Sequence, residues 1–211
     1  MGLNIKYAFT PTNTVYGQFI LDEFKFKEMT NGNGWWGNKF GGQLGYRSKD
    51  FLNVPRLNFL TEINAARPFT YAQRTPMLNY GHYNQSLAHP LGANFVEWVN
   101  IADYQYKRWF FRGQAQYASY GLDSANSNFG KDIFKSYESR SREFGNKLRQ
   151  GIKTNLLYLQ GSVAYLLNRK YNLRVELSVA GRQEKNNFIT TRELIYQIGF
   201  RSTFRQFYYD F

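Results

Sequence analysis

The sequence predicts an all-β protein: an antiparallel up-and-down transmembrane β-barrel, partial, with about nine strands and long external loops. Three observations predict this fold. Apolar and polar residues alternate with a period of two along most of the chain. Short and long connections alternate between these segments, and 19% of the residues are aromatic. A soluble β-sandwich explains the alternation but not the strand length, the aromatic content and the order of the loops together.

The strand pattern is clearest in "NLRVELSVAGR". There Val175, Leu177 and Val179 project to one side, and Arg174 and Glu176 project to the other. The other alternating segments, in chain order, are "LNIKYAFT", "NKFGGQLGYR", "RLNFLTEINAA", "FFRGQAQYAS", "NLLYLQGSVAYLL" and "RELIYQIGFRS". Most have the length that a tilted strand needs to cross a membrane. The aromatic residues near strand ends suit two interfacial girdles; they are Tyr7, Phe9, Tyr46, Trp98, Trp109, Tyr165 and Tyr196.

Short and long connections alternate along the chain. Short ones are expected at "PTNT", "SKDFLNVP", "YKRW" and "NRKYN". Longer ones are expected at "KEMTNGNGWWG", at residues 70–94 and 121–153, and, with intermediate length, at "QEKNNFIT". Outer-membrane barrels have this order, with short periplasmic turns and long external loops. The Gly-rich "NGNGWWGNKFGG" lacks the lysine and the following helix of a phosphate-binding loop, so it is interpreted as a hairpin loop.

Composition limits the classes of function. The chain has 27 basic and 15 acidic residues, a formal charge of +12, which favours an anionic partner. It has no cysteine, which excludes disulfides and thiolate metal sites. No apolar run is long enough for a membrane-spanning helix. The charges alternate through the strands and form no single basic face, so we expect no nucleic-acid partner. No cofactor is expected.

Residues 1–211 are expected to be the C-terminal portion of a single outer-membrane β-barrel domain. Bacterial barrels have an even number of strands, which nine does not satisfy, and "MGLNIKYAFT" lacks the features of a signal peptide. The ending "FRQFYYDF", a terminal aromatic residue after an amphipathic strand, resembles the recognition signal of the outer-membrane assembly machinery. The expected location is the outer membrane of a Gram-negative bacterium, in contact with its lipid and lipopolysaccharide.

The stretch "EINAARPFTYAQRTPMLNYGHYNQSLAHPLGANFVEW" resembles the signature region of outer-membrane barrels of the capsule-assembly (Wzi-like) and gliding-motility family. Its distinctive core is N-Y-G-H-x-N-Q-x-L-A-H-P-L-G-A-N, residues 79–94, and the ending "YYDF" is similar to endings in the same group. The resemblance implies a surface-exposed barrel that retains or exports polysaccharide, or one that serves the motility or secretion machinery.

The loop from Thr70 to Asn94 is expected to act as a stiff plug or lid at the barrel mouth, because it is rich in aromatic residues and proline. The residues assigned to it are Tyr71, Asn79, Tyr80, His82, Asn84, Gln85 and His89, with Tyr83, Pro76 and Pro90 adding stiffness. Metal binding and hydrolysis are the two alternative roles for this loop. His82 and His89 lack a visible third metal ligand. A Ser86 nucleophile would need a carboxylate, and only Glu62 or Glu97 could supply one from the flanking strands.

The loop from Lys131 to Lys153 carries the strongest basic run, which would permit a short external helix. Its residues are expected to bind anionic polysaccharide or to face lipopolysaccharide; they are Lys131, Lys135, Arg140, Arg142, Lys147, Arg149 and Lys153, with Tyr137, Phe134 and Phe144 available to stack on sugar rings. A second set is expected to face the lumen, namely Arg47, Arg112, Arg174, Arg182, Arg201, Glu62 and Glu176.

These features together predict a non-enzymatic barrel that binds or organises acidic surface or capsular polysaccharide, with a role in gliding motility as one setting. A diffusion porin for anionic solutes is the first alternative, and it requires a lumen that the Thr70 to Asn94 loop does not block. A barrel-embedded hydrolase is the second, and it requires a nucleophile such as Ser86 within hydrogen-bond reach of His82 or His89.

Overall fold

The computed structural model describes residues 1–202, which contain one sheet of nine antiparallel strands. Each strand lies beside its neighbours along the chain. In this order the strands are β1 (Gly2–Ala8), β2 (Asn13–Glu23), β3 (Lys39–Ser48), β4 (Leu57–Ala66), β7 (Phe95–Tyr106), β8 (Trp109–Leu122), β9 (Ile152–Asn168), β10 (Leu173–Lys185) and β11 (Thr190–Arg201). A small hairpin of β5 (Gly81–His82) and β6 (Gln85–Ser86) lies between β4 and β7, and α1 (Phe26–Thr30) lies between β2 and β3. The all-β class and the nine-stranded antiparallel sheet are confirmed.

Strand pairing gives the sheet two chemically distinct faces. Residues directly opposite each other in an antiparallel sheet point to the same side, so the register assigns each residue to a face. Leu177, for example, pairs with Val163 and Ile198, whereas Ser178 pairs with Ser162 and Gln197. The side that carries Leu177 is the apolar face, and the side that carries Ser178 is the polar face.

The apolar face is almost free of charge. In the nine strands of the described residues, its positions include three charged side chains, Lys153, Lys185 and Arg192. All three lie at one end of the sheet. Many large apolar side chains on this face are exposed, among them Ile198 at 80% and Phe200 at 76%. A sheet that was packed against a soluble core would bury such residues.

Aromatic side chains concentrate toward the two ends of the apolar face. At one end Phe9 stacks on Tyr46, with ring centroids 6.3 Å apart, and Trp109 packs on Tyr165 at 4.9 Å. Toward the other end Phe19 packs on Phe40 at 5.9 Å, and Trp98 lies directly opposite Tyr117. Smaller residues such as Ala102, Gly113 and Gly161 lie between the two groups.

The connections divide between the two ends of the sheet. At the turn end they are residues 9–12, 49–56, 107–108 and 169–172, and at the loop end they are residues 24–38, 67–94, 123–151 and 186–189. The first three connections at the loop end are long, as predicted. The prediction of an intermediate loop at "QEKNNFIT" was wrong. The Asn186 side chain accepts hydrogen bonds from the amides of Phe188 and Ile189, at 2.8 and 2.9 Å, and so closes a tight turn.

Within residues 1–202 the sheet is open, because β1 and β11 each pair with a strand on one side only. The helices of this part of the chain are too short or too polar to cross a membrane. The ending "FRQFYYDF" lies outside the described residues.

Candidate functional site

The three long connections at the loop end fold against one another into a compact body, here called the cap (residues 24–38, 67–94 and 123–151). Backbone hydrogen bonds join its segments. The amide of Phe69 donates to the carbonyl of Gly130 at 3.0 Å, and the amide of Gly145 donates to the carbonyl of Asn33 at 2.8 Å. The 67–94 segment packs through Tyr71 and Leu91 on a buried cluster of the sheet; this cluster consists of Ala66, Phe95, Ala118, Tyr120 and Leu156. These five residues lie on the polar face, so the cap covers that face at the loop end.

Asn94 joins two segments of the cap to the sheet. Its side-chain amide donates to the carbonyls of Gly121 and Gln150, at 3.0 and 2.9 Å, and its side-chain oxygen accepts from the amide of Gln150 at 3.1 Å. The residue is fully buried and has a positive φ of 58°. Asparagine is one of the few residues with a side chain that adopt this conformation at low cost, so one residue supplies both the turn and three hydrogen bonds.

Lys39 is a fully buried cation beneath the cap. Its ammonium lies 3.4 Å from a carboxylate oxygen of Asp22 and 3.4 Å from one of Glu23, and it donates to the carbonyl of Ala72 at 2.9 Å. The Tyr137 ring lies over it at 4.7 Å. A buried charge is tolerated only with such complete pairing, so Lys39 links β2, β3 and two of the cap loops.

His89 attaches the cap to the polar face of the sheet. Its Nε2 lies 2.8 Å from a carboxylate oxygen of Glu97, and its Nδ1 accepts from the amide of Leu91 at 3.1 Å. Because Nδ1 accepts a hydrogen bond, Nε2 carries the proton and donates to Glu97. Glu97 also accepts from Asn64 at 3.0 Å and from Gln116 at 2.5 Å, so the carboxylate is held by two further strands.

The predicted plug residues therefore divide into two groups. Tyr71 packs on Tyr80 at 5.8 Å, and the side-chain oxygen of Asn79 accepts from the Gln73 amide at 2.5 Å. Burial raises the pKa of the Tyr71 phenol, and the nearby Asp22 acts in the same direction. His82, Tyr83, Asn84 and Gln85 instead lie in the exposed β5–β6 hairpin, where Tyr83 is 89% exposed. Within the described residues the side chains of Asn84 and Gln85 form no hydrogen bond, because both are exposed to solvent.

Most of the predicted polysaccharide-binding cations are engaged within the cap. Arg140 pairs with Glu143 and stacks over the Trp36 ring at 4.4 Å, and Lys135 pairs with Asp123 at 3.4 Å. Arg142 donates to the Gln150 side chain at 3.4 Å. Tyr137 packs on Trp36, with centroids 4.7 Å apart. The predicted short helix reduces to one 3-10 turn, Tyr137–Ser139, because the chain here is held by contacts with other loops.

Lys131 is also structural. Its ammonium donates to the carbonyl of Leu91 and lies over the Tyr120 ring at 4.9 Å. Burial lowers the pKa of Lys131 below the ordinary lysine value, although Asp123 and other acidic groups act in the opposite direction. A desolvated ammonium that already has a partner is a poor ligand for an external anion.

Three predicted cations remain available at the loop end. Lys147, Arg149 and Lys153 are exposed, and within the described chain none of them forms an ion pair. Phe144 is half exposed in the same loop. The side chains of these four residues are exposed to solvent and form no hydrogen bond or ion pair within the described chain.

The residues predicted to face a lumen share one face. Register and alternation place Arg47, Arg112, Arg174, Arg182, Arg201, Glu62 and Glu176 all on the polar face. Several are paired. Arg112 lies 3.3 Å from Asp103, Arg201 lies 3.6 Å from Glu176, and Arg182 lies 2.7 Å from Glu184. Glu62 accepts from the Tyr16 hydroxyl at 2.6 Å.

The alternative chemistries of the loop find little geometric support. Ser86 Oγ is buried and has no hydrogen-bond partner among the described residues, so neither histidine lies in position to activate it. His89 is occupied by Glu97, and His82 contacts the Tyr83 ring. In residues 1–202 no three histidine or acidic side chains converge as a metal site would require.

Sequence reasoning missed Lys39, its pairing with Asp22 and the structural role of Asn94. Lys39 stands between Asn38 and Phe40 in a Gly-rich stretch and carries no local signal of burial. Its partners come from another strand and from loops far along the chain, so only the folded arrangement identifies it. Comparisons with protein families, with curated proteins and with solved structures found no match to the chain.

Proposed function

We propose that the chain is part of an outer-membrane β-barrel that does not act as an enzyme and that binds acidic surface polysaccharide at its loop end. The observation that carries the membrane part of this proposal is the nearly charge-free apolar face of nine strands, with its few charges at one end. Such a face is stable in contact with the hydrocarbon of a bilayer, whereas its exposure to water is unfavourable. In the barrel, β1 and β11 pair with further strands, because hydrocarbon cannot hydrogen-bond an open sheet edge.

The dimensions agree with this proposal. Tyr117 lies directly opposite Trp98 and marks one aromatic end of the apolar face on β8, and Trp109 marks the other end. At roughly 3.3 Å per residue, Tyr117 and Trp109 are separated by about 26 Å along the strand. The tilt of barrel strands reduces this to roughly 20 Å, close to the apolar band of about 25 Å between the aromatic girdles of known barrels. The polar face then lines the interior, and the cap lies on the external side.

Polysaccharide binding rests on the exposed cations of the cap and of the adjoining strand. Lys147, Arg149 and Lys153 carry no ion pair in the described chain, and Phe144 offers an exposed ring in the same region of the chain. Guanidinium and ammonium groups bind the carboxylates of acidic sugars, and aromatic rings pack on sugar faces. The resemblance of residues 79–94 to capsule-assembly and gliding-motility barrels supports the same class of partner.

The cap argues against the diffusion porin for anionic solutes. It covers the polar face at the loop end through Tyr71, Leu91 and His89, and its segments are tied together by buried hydrogen bonds. Under this proposal the full protein in a planar bilayer passes little current. Large and steady conductance would favour the porin instead.

The binding test uses the protein in detergent and acidic polysaccharide isolated from the surface of its own host. We expect salt-sensitive binding that the triple variant K147A/R149A/K153A weakens by about tenfold or more. The matched control, K107A/R108A/R169A, removes the same charge from exposed turns at the other end of the sheet and retains binding. Equal affinity of both triple variants and the unmodified protein would refute the assignment of the site.

A further inference from the structure

The charges of the polar face are sorted along the strands. Toward the loop end the strands carry mainly acidic residues, namely Asp22, Glu23, Glu62, Glu97, Glu184 and Glu193, against Lys39 and Arg182. Toward the turn end the polar face and the connection 49–56 carry mainly basic residues, namely Lys6, Arg47, Lys49, Arg56, Arg112, Arg174 and Arg201, against Asp50, Asp103 and Glu176. The strand residues of the polar face are therefore mainly acidic beneath the cap and mainly basic near the turns.

The basic half forms a continuous groove. A cavity of about 800 Å³ contains Lys49, Arg56, Arg112, Arg174 and Arg201 in its lining. It shares Lys49 and Arg112 with a neighbouring cavity of about 350 Å³, which in turn shares Arg47 and Lys49 with a third of about 590 Å³. The largest has the volume of a site for a small molecule or a short oligomer.

Several cations in this groove lack a carboxylate partner. The carboxylates of Asp103 and Glu176 are used by Arg112 and Arg201. Asp50 accepts from the backbone amide of Arg56 at 2.6 Å and so stabilises a turn. Within the described residues, Lys6, Arg47, Lys49, Arg56 and Arg174 are left without an ion pair.

Arg174 is the best-positioned of these cations. Its guanidinium lies over the Phe110 ring at 3.5 Å, and its Nε donates to the Asn172 side chain at 2.9 Å. These two contacts fix the plane of the guanidinium, and among residues 1–202 no acceptor bonds to its other nitrogens, which can therefore face an anion. Arg174 also lies directly opposite Arg201 on β11. Like charges in that position destabilise a sheet, and an anion between them would relieve the repulsion.

We propose that this groove binds an oligomeric anion with several carboxylate or phosphate groups. The basic groove attracts the ligand, Arg174 and its neighbours bind the individual oxyanions, and the acidic half beneath the cap stops the ligand from advancing toward the loop end. The site is separate from the cations of the loop end and does not depend on polysaccharide binding there.

The test measures binding of two probes to the full protein in detergent by calorimetry at low salt. The probes are trigalacturonate, which carries sugar carboxylates, and tripolyphosphate, which carries phosphates. We expect at least one of them to bind and the variant R47Q/K49Q/R174Q to lose about tenfold or more in affinity. The probe that binds more tightly identifies the oxyanion for which the groove is suited.

The control is K107Q/R108Q/R169Q, which removes the same charge from exposed turns at the same end of the sheet but outside the lining of the groove, and should leave probe binding unchanged. Arg174→Lys keeps the charge but loses the planar fork, so we expect it to bind more weakly than the unmodified protein and more tightly than the triple groove variant. The proposal is overturned if neither probe binds, or if both triple variants lose affinity equally. Because the polysaccharide test depends on the loop-end cations, either proposal can fail while the other stands.

Discussion

The cap depends on single buried polar residues, and Asn94 is the clearest of them. Replacement by alanine removes three hydrogen bonds and leaves buried partners on Gly121 and Gln150 unsatisfied. It also places alanine at a φ of 58°, a left-handed conformation that alanine adopts at a higher energetic cost than asparagine. Such losses amount to about 3 kcal/mol or more.

We therefore expect Asn94→Ala to open the cap locally, and trypsin should cleave the variant faster than the unmodified protein between Arg140 and Lys153. The matched control is Asn84→Ala. Asn84 has the same φ of 58° but lies exposed in the β5–β6 hairpin, so its replacement should leave cleavage in that region unchanged. Equal cleavage of N94A and the unmodified protein would show that Asn94 does not hold the cap.

At the level of elements, the strands were predictable and the cap was not. Alternation in segments such as "NLRVELSVAGR" depends only on which side of a strand faces water, so it is present in the local sequence. The cap depends on contacts between loops far apart in the chain, such as those between residues 33 and 145 or 94 and 150. The sequence of residues 131–153 does not indicate which basic side chains form ion pairs. Arg140 is paired with Glu143, whereas Arg149 has no ion pair within the described residues.

The close approach of β8 to the cap requires a glycine. A Cβ on Gly121 would lie 1.6 Å from the carbonyl oxygen of Gln150, so that segment would have to move away. We expect Gly121→Ala to cost about 2 kcal/mol or more and to speed hydrogen exchange of the amides around residue 150 by roughly thirtyfold.

Gly113→Ala provides the matched comparison on the same strand. A Cβ at Gly113 meets nothing within 4 Å, because this residue lies in the middle of β8, away from the cap. Its exchange rates should stay within about twofold of those of the unmodified protein. If G113A disturbed the cap as much as G121A, the effect would come from strand propensity and not from the contact with Gln150.

For the whole molecule, the two faces of the sheet and the position of the cap predict that lipid surrounds the apolar face and that the cap lies outside the lipid. The four tryptophans form two pairs that can test this prediction. Trp98 and Trp109 lie on the apolar face, 51% and 44% exposed, while Trp35 and Trp36 lie in the cap, where Trp36 packs on Tyr137. If the sheet lies in a bilayer, lipid contacts the first pair and not the second.

The variants W35F/W36F and W98F/W109F each retain one pair and can be placed in bilayers whose acyl chains carry bromine, a short-range quencher of tryptophan fluorescence. We expect strong quenching of W35F/W36F, because its remaining indoles lie at the two aromatic ends of the apolar face, and little quenching of W98F/W109F. Bromine near the headgroups should quench Trp98 and Trp109 more than bromine at the chain ends. Quenching that was the same for both variants, or absent from both, would place the apolar face against protein instead of lipid, because exposed rings of this size do not remain in water.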